Sequence, residues 1–322
     1  MKILVTGGAG FIGSHLVEHH LGKGDEVIAV DNCWSGSEDN IKPFLSNPQF
    51  TFYKTSFLEW PEKEAVLASV DRIYNMAAFV GMQNVLDHPL ETLQVNCQIC
   101  EQIFEAAAKR SDKPGIFVAS SSEAYGPQDC ALGENQQLLL DSVDKGQLTY
   151  PVSKIHNELI AKSYFKKFDV PCVIVRIFNT IGQRQTGFYG MVVPRLVKQA
   201  VKNEPITVFD DGDQTRAFCN ARDSVVMFDQ LMGCPEAQGE VVNVGHETTI
   251  SINDLAQLVK KLAGSTSEII HVPFEKAYRN SNEYIQIKNR WPLLDKLKGL
   301  IDVKYQWTLE KSIEDLIEQA RQ

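Results

Sequence analysis

Three glycines, Gly7, Gly10 and Gly13, follow the apolar run Ile3-Leu4-Val5 and open a stretch that reads as a helix. A strand that passes straight into a helix through such a turn belongs in a parallel α/β sheet. Gly7 allows the tight turn, Gly10 lets the backbone approach a bound group, and Gly13 permits close packing of helix on strand. The positive end of the helix then faces any phosphate held at the turn. The spacing is Gly-x-x-Gly-x-x-Gly rather than Gly-x-Gly-x-x-Gly, and a glycine turn by itself is compatible with a purely structural role. Asp31 adds the context. It ends the next apolar run, about 20 residues on, where a carboxylate accepts from ribose hydroxyls and repels a 2′-phosphate. The expected ligand is NAD rather than NADP.

The first half of the chain alternates short apolar runs with helical stretches. Strands are expected at Lys2–Thr6, Glu26–Asp31, Thr51–Lys54, Arg72–Met76, Gly115–Ser120 and Pro171–Arg176. Helices are expected at Ile12–Leu21, Pro89–Lys109 and Val152–Phe168. Apolar strands alternating with helices signal an α/β fold built on a doubly wound parallel sheet. After Asn179 the pattern changes. A polar loop, Gly182–Gly190, precedes a helix near Pro194–Lys202, a strand at Ile206–Phe209, the turn Asp211-Gly212-Asp213 and a helix near Asp223–Met232. Val241–Val244 reads as a further buried strand. Ser251 and Asp254 approximate a capping box for Leu255–Ala263, and Leu309–Ala320 reads as the last helix. The expected division is a nucleotide-binding domain over 1–180 and a smaller α/β substrate domain over 181–322, with some later segments returning to the first sheet.

Composition narrows the function. The net charge of −9 argues against nonspecific nucleic-acid binding. No apolar stretch approaches the roughly 20 residues that span a bilayer, and Met1-Lys2 leads straight into a strand, so neither a membrane anchor nor a signal peptide is expected. Seven scattered cysteines read as reduced thiols in a cytoplasmic protein. Cys97 and Cys100 are expected to be two buried thiols, and the histidines show no metal-ligand spacing, so no metal is expected. His19-His20 is expected at the surface end of the first helix.

The chemistry lies in two further segments. Ser120-Ser121-Ser122-Glu123-Ala124-Tyr125-Gly126 ends a strand, and strand ends near the switch point are where open α/β sheets bind ligands. Tyr150 and Lys154 are spaced i, i+4 and share a helix face. The positive charges of Lys154 and of an oxidised nicotinamide favour the tyrosinate and are expected to lower the Tyr150 pKa. Tyr150 can then take a proton from an alcohol while its carbon gives a hydride to NAD⁺. A serine hydroxyl can bridge base and substrate. Small residues at Ala77-Ala78 let a dinucleotide lie along the strand ends; they are equally compatible with a simple core role.

With these residues assembled, the chain resembles the extended short-chain dehydrogenase/reductases of the nucleotide-sugar epimerase/dehydratase class. The resemblance rests on Thr6–Gly13, Asp31-Asn32, Asn75–Ala78, Asn96, Ser120–Gly126, Tyr150–Lys154, Arg176–Asn179, Gly190–Arg195 and Asp211–Arg216. It implies a Rossmann domain, a smaller sugar-nucleotide domain, tightly held NAD and a homodimer formed through the helices at Pro89–Lys109 and Val152–Phe168. By motif, Gly7, Gly10, Phe11, Ile12, Gly13, Asp31, Asn32, Ala77, Ala78, Asn96, Tyr150 and Lys154 would contact the cofactor. Ser121 would be the catalytic hydroxyl, Tyr150 the base and Lys154 its partner. Asn179 would lie beside the substrate phosphates. Arg216 and Arg290 would clamp the diphosphate, since guanidinium forks suit phosphate oxygens, and Arg184 would touch sugar or phosphate.

The chain departs from the family pattern at three places. Ser56 stands where many members carry an adenine-contacting Asp, Asn75 replaces a frequent His, and Gln183 replaces a frequent Pro and is expected to loosen its loop. Glu123 divides the functional readings. Dehydratases and decarboxylases of this family often carry Glu there, in Thr-Asp-Glu or Thr-Ser-Glu, for C5 or C6 chemistry; a bond to a backbone amide at the strand end is the plainer role. The leading expectation is C4 epimerisation of a UDP-sugar or UDP-uronate through a 4-keto intermediate. The alternatives are an NDP-sugar dehydratase or UDP-glucuronate decarboxylase using Glu123, and a non-catalytic NAD(H)-binding sensor, against which the intact Ser/Tyr/Lys set argues.

Overall fold

The computed structural model describes residues 1–186, 191–273, 276 and 287–321, the side chain of Met82 excepted. Seven strands form its central sheet: β1 (Lys2–Thr6), β2 (Glu26–Val30), β3 (Phe50–Tyr53), β4 (Arg72–Asn75), β5 (Gly115–Ser121), β6 (Cys172–Ile177) and β7 (Val241–Val244). Their order is β7-β6-β5-β4-β1-β2-β3, and every pairing is parallel. The chain winds outward from β1 in both directions, so the strand order reverses between β1 and β4. This is the Rossmann arrangement, with its crevice above the carboxyl ends of those two strands.

The apolar runs follow from burial on both faces. Ile3 and Val5 enter one core with Val27, Ala29, Phe117 and Ala119; Leu4 enters the other with Ile28, Val30, Ile116 and Val118. Side chains alternate across a strand, so a strand covered on both sides needs apolar residues at every position. Each fully buried Val, Leu or Ile contributes roughly 1.5–3 kcal/mol. Helix α1 (Phe11–Gly22) covers the first face through Leu16, Val17 and Leu21. Helices α2 (Pro89–Ala108) and α3 (Thr149–Phe168) cover the second through Ile99, Ile103, Phe104 and Ala161. Helix α4 (Ala221–Met232) packs on the α1 side through Phe228 and Leu231.

A third core gathers the helices Val192–Val201, Ile252–Ala263 and Leu309–Arg321 around Leu196, Val208, Leu255 and Leu316. Ser251 caps the middle helix, its Oγ accepting from the Asp254 amide at 3.0 Å. Four short strands, in the order Thr249–Ser251, Thr215–Ala217, Asn289–Pro292 and Cys130–Leu132, form a sheet that sets Arg216 in register beside Arg290.

Some elements differ from the sequence expectation. Helix α3 starts at Thr149, not Val152, and so takes in Tyr150. Pro151 is tolerated because amides of a first helical turn have no partner within the helix. His20 is wholly buried rather than at the surface: it meets Asp25 at 2.8 Å and packs on the Tyr74 ring. His19 is drawn down by Asp229 of α4, 3.0 Å away, because α4 lies across that end of α1. Cys97 is only half-buried, whereas Cys100 is fully buried. Gly190 and its neighbours at 187–189 lie outside the described residues. Among the described residues no helix is long and apolar enough to cross a membrane.

Candidate active site

A cleft of about 680 Å³ opens above the switch point and runs from the glycine turn to the small sheet. At one end, Gly7 has a φ of +69°, and a Cβ there would stand 2.9 Å from the Ala77 backbone. A Cβ on Gly13 would fall 2.0 Å from the Gly7 carbonyl oxygen. Neither position admits a side chain. Gly10 caps α1 with no side-chain acceptor, and no acidic residue lies in the first turn. The positive helix end therefore faces the cleft with no carboxylate of the helix against it, as an anionic pyrophosphate requires. Phe11, Ile12, Ala77 and Ala78 line the same end. Thr6 fastens it, its hydroxyl accepting from the Met76 and Ala77 amides at 3.1 and 3.0 Å.

Asp31 reaches back over the turn. One carboxylate oxygen accepts from the Ala9 amide at 3.0 Å, the other from the Cys33 amide at 2.7 Å. Burial raises its pKa, and the Cys33 and Ala9 amides oppose that rise. Each oxygen keeps a lone pair for a ribose hydroxyl. Asn32 lies beside it and accepts from the Trp34 amide. These residues fit a dinucleotide without a 2′-phosphate. Asn96 does not line the cleft. Its amide clamps the Phe79 backbone at 2.8 Å and donates to Ser153 at 3.0 Å, and so shapes the loop that does. Ser56 lines the cleft.

At the other end, Ser121, Tyr150 and Lys154 come together. Ser121 lines the same end of the cleft as Tyr150, where its hydroxyl favours the ionised phenol, and it accepts from the Glu123 amide at 3.2 Å. The Lys154 ammonium, 4% exposed, donates to the Ala119 carbonyl at 2.8 Å and stands 5.5 Å from the Tyr150 ring centre. The expectation of a lowered Tyr150 pKa is not met by these residues alone. Burial pushes the phenol up to about 12, Ser121 pulls it down and the Glu123 carboxylate pushes it further up. Burial also brings Lys154 down to about 8, so its own charge is held weakly. The constellation can pass a proton through Ser121, but the tyrosinate needs a further positive charge in the cleft.

The small sheet closes the far end. The buried Arg290 guanidinium bonds the Glu123 carboxylate and donates to the Gly126 carbonyl at 3.2 Å. Glu123 is half exposed to the cleft. Arg216 is held by the carbonyls of Thr215, Ile287 and Lys288 at 2.7–2.9 Å. Burial, and the charge of Arg290 beside it, lower its pKa. Asn179 lines the cleft and donates to the Ala217 carbonyl at 3.4 Å.

Arg184 sits elsewhere. Its guanidinium pairs with Glu18 of α1 at 2.6 Å and does not line the cleft. The loop around it is not loosened by Gln183, whose side chain donates to Asp315 at 2.6 Å and accepts from Arg222 at 2.9 Å, while its carbonyl meets His15 at 3.0 Å. Trp34, Phe79, Val80, Gln185 and Thr186 also line the cleft and are not among the residues expected from the sequence. Trp34 was findable: a tryptophan just past the ribose carboxylate, in an otherwise polar loop, needs a reason to be there. Its indole donates to Asn84 at 3.3 Å and packs on Phe79.

Comparison with known proteins bears on the family and the fold. The family model described as "NAD dependent epimerase/dehydratase family" matches residues 3–245. The chain is 31% identical to the UDP-N-acetyl-alpha-D-glucosaminuronate decarboxylase of Bacillus cytotoxicus, over 100% of this chain and 98% of that protein. It is 33% identical to the uncharacterized UDP-glucose epimerase YtcB of Bacillus subtilis, over 91% of this chain and 92% of that protein. Among solved structures, the UDP-glucuronic acid 4-epimerase of Bacillus cereus, in complex with UDP-glucuronic acid and NAD, is 26% identical and superposes with a TM-score of 0.88, covering 100% of this chain and 99% of that one.

Proposed function

The chain belongs to the NAD-dependent epimerase/dehydratase family, and from that premise we propose that it is a UDP-sugar 4-epimerase whose substrate is a UDP-uronate. Its cofactor is NAD. The observation that carries the reading is the meeting of Ser121, Tyr150 and Lys154 at the end of β5, in the same cleft as the Gly7–Gly13 turn and Asp31. Bound NAD supplies the hydride acceptor and the extra positive charge. Tyr150 takes the C4 hydroxyl proton by way of Ser121, and the Lys154 ammonium lowers the cost of the tyrosinate. The 4-keto sugar turns within the cleft, and Tyr150 returns the proton as C4 is reduced on its other face. Arg216 and Asn179 hold the diphosphate.

Epimerisation needs no second proton abstraction. The Glu123 carboxylate is tied to Arg290 rather than free to act as a base, and this supports the choice. Relatives that act on UDP-uronates, one a decarboxylase and one a 4-epimerase, support the substrate class. A second reading, decarboxylation, is favoured by the position of Glu123 at the cleft and by the full-length similarity to the decarboxylase. NMR of products from UDP-glucuronate, UDP-N-acetylglucosaminuronate and UDP-glucose separates the two. A C4 epimer with its carboxylate retained supports the first reading; a pentose product establishes the second. Two copies pair through the outer faces of α2 and α3, where Leu90 and Leu159 are exposed, and the free cysteines suit a reducing cytoplasm.

A further inference from the structure

Behind the reacting groups lies a buried polar cluster that the proposed chemistry does not use. Glu158, on α3, is 5% exposed. One of its oxygens accepts from the Ser120 hydroxyl at 2.5 Å and from Arg176 Nε at 2.9 Å; the other accepts from Arg176 Nη2 at 2.7 Å. Ser120 and Arg176 are themselves buried and stand in register on the neighbouring strands β5 and β6. The Arg176 guanidinium lies 4.5 Å over the ring of Tyr125, whose hydroxyl donates to Asn243 of β7 at 2.7 Å.

The spacing gives this cluster its meaning. Tyr150, Lys154 and Glu158 are four residues apart, so they form one stripe of α3. The stripe runs along three consecutive residues of β5: Tyr150 lines the cleft with Ser121, Lys154 bonds Ala119 and Glu158 bonds Ser120. Tyr150 and Lys154 must also serve the reaction, and Lys154 holds β5 by a single hydrogen bond. Glu158 makes a fork-to-carboxylate pair backed by a strand hydroxyl, and such pairs are the geometrically specific ones. Through Tyr125 the same pair also fixes the end of the turn Ser122–Tyr125, which carries Glu123. An ion pair this deeply buried adds little net stability, so it is better explained by the register it enforces.

We infer that Glu158 is a positioning residue: with Arg176 and Ser120 it sets the register of α3 on β5 that brings Tyr150 to Ser121. This rests on the proposed role of Tyr150. Loss of the register by a fraction of a helical turn would leave the cleft and its ligands in place but misalign the proton path, and misplacement of about 1 Å can cost about 100-fold in rate.

The test uses E158Q and S120A in the full chain with NAD bound. Glutamine keeps the shape and loses the charge; S120A keeps the ion pair and removes only the rung to β5, so it carries the test should E158Q fail to fold. The expected result is a fall in kcat of about 10- to 100-fold with KM and NAD content unchanged, larger in E158Q than in S120A. The Tyr150 ionisation, read as tyrosinate absorbance with the same titration of Y150F subtracted, should move to higher pH as Ser121 and Lys154 disengage. A purely structural role would lower thermal stability and leave that titration where it was. Folded variants with wild-type kcat and an unmoved Tyr150 titration overturn the assignment. The two failures are distinguishable: wild-type protein that turns over no UDP-sugar defeats the functional reading, while the tyrosinate titration still decides the role of Glu158.

Discussion

Glu123 and Arg290 stand 167 residues apart in the chain and meet as an ion pair at the rim of the cleft, two residues from the Ser121 hydroxyl. The arginine is buried and the carboxylate half exposed. The pair therefore presents a charged but neutralised wall to whatever sugar lies against Ser121 and Tyr150. Its presence makes the fate of the 4-keto sugar depend on whether Glu123 is ever released.

Glu123→Gln separates the outcomes. An epimerase needs nothing from Glu123 after C4 oxidation, so turnover should stay within a few-fold of wild type. A decarboxylase or dehydratase that uses Glu123 would still form NADH and the keto sugar but release little product, with a loss of about 10²–10⁴-fold for a removed acid or base. Absorbance at the NADH band during single turnover, with NMR of the products, reads both. Accumulated NADH in the variant would end the epimerase proposal.

Asp31→Asn tests the choice of cofactor. The carboxylate oxygens hold the Ala9 and Cys33 amides and face the ribose side of the cleft. Asparagine keeps the shape and removes the charge that repels a 2′-phosphate. Affinity for NAD should fall by about tenfold, the scale of a hydrogen bond to a charged group, while NADP binding improves relative to it. Calorimetric titration with both cofactors checks this; an unchanged ratio of affinities removes Asp31 from the ribose site.

Lys154→Arg tests the role of the ammonium through pH. Burial brings Lys154 down to about 8. As pH rises through that value the lysine loses the charge that favours the tyrosinate, so kcat/KM, which reports the free enzyme, should decline on the alkaline side. A guanidinium stays charged throughout. The variant, slower overall because its donor geometry differs, should lose the alkaline limb. A decline at the same pH in Lys154→Arg would assign the limb to another group.

What was legible in the sequence followed from local rules. The strands of the central sheet read as apolar runs because they are buried on both faces, and Tyr150 with Lys154 reads as a pair because helical spacing alone puts them on one side. Val241–Val244 reads as a strand, but its place beside β6 depends on packing. The relationships that govern the far end of the cleft were not legible. Arg216 and Arg290 become neighbours only through the register of two strands of the small sheet, and Glu123 gains its partner from the second of these. Gln183 looked like a loosening substitution because its anchors, Arg222 and Asp315, come from α4 and the last helix. His20 looked like a surface residue for the same reason. Nothing near it in sequence shows that α4 and Tyr74 enclose it.

Asp229→Asn probes that enclosure as a matter of stability. Burial alone would raise the Asp229 pKa, but hydrogen bonds from His19 at 3.0 Å and Lys23 at 2.5 Å, with the charge of Lys23, hold it well below the usual carboxylate range. Arg72 adds a third bond at 3.0 Å. A carboxyl whose folded pKa lies below its unfolded value stabilises the fold at neutral pH, and that contribution fades as pH falls below about 4. Asparagine cannot take a negative charge, so the variant should be less stable than wild type by about 1–3 kcal/mol at neutral pH. The gap should narrow on acidification, because the unfolded wild-type chain then binds a proton that the folded one resists. Urea unfolding of both proteins across that range checks the sign. A gap that stayed constant with pH would show that the His19–Lys23–Arg72 cluster acts on Asp229 through packing and not through its charge.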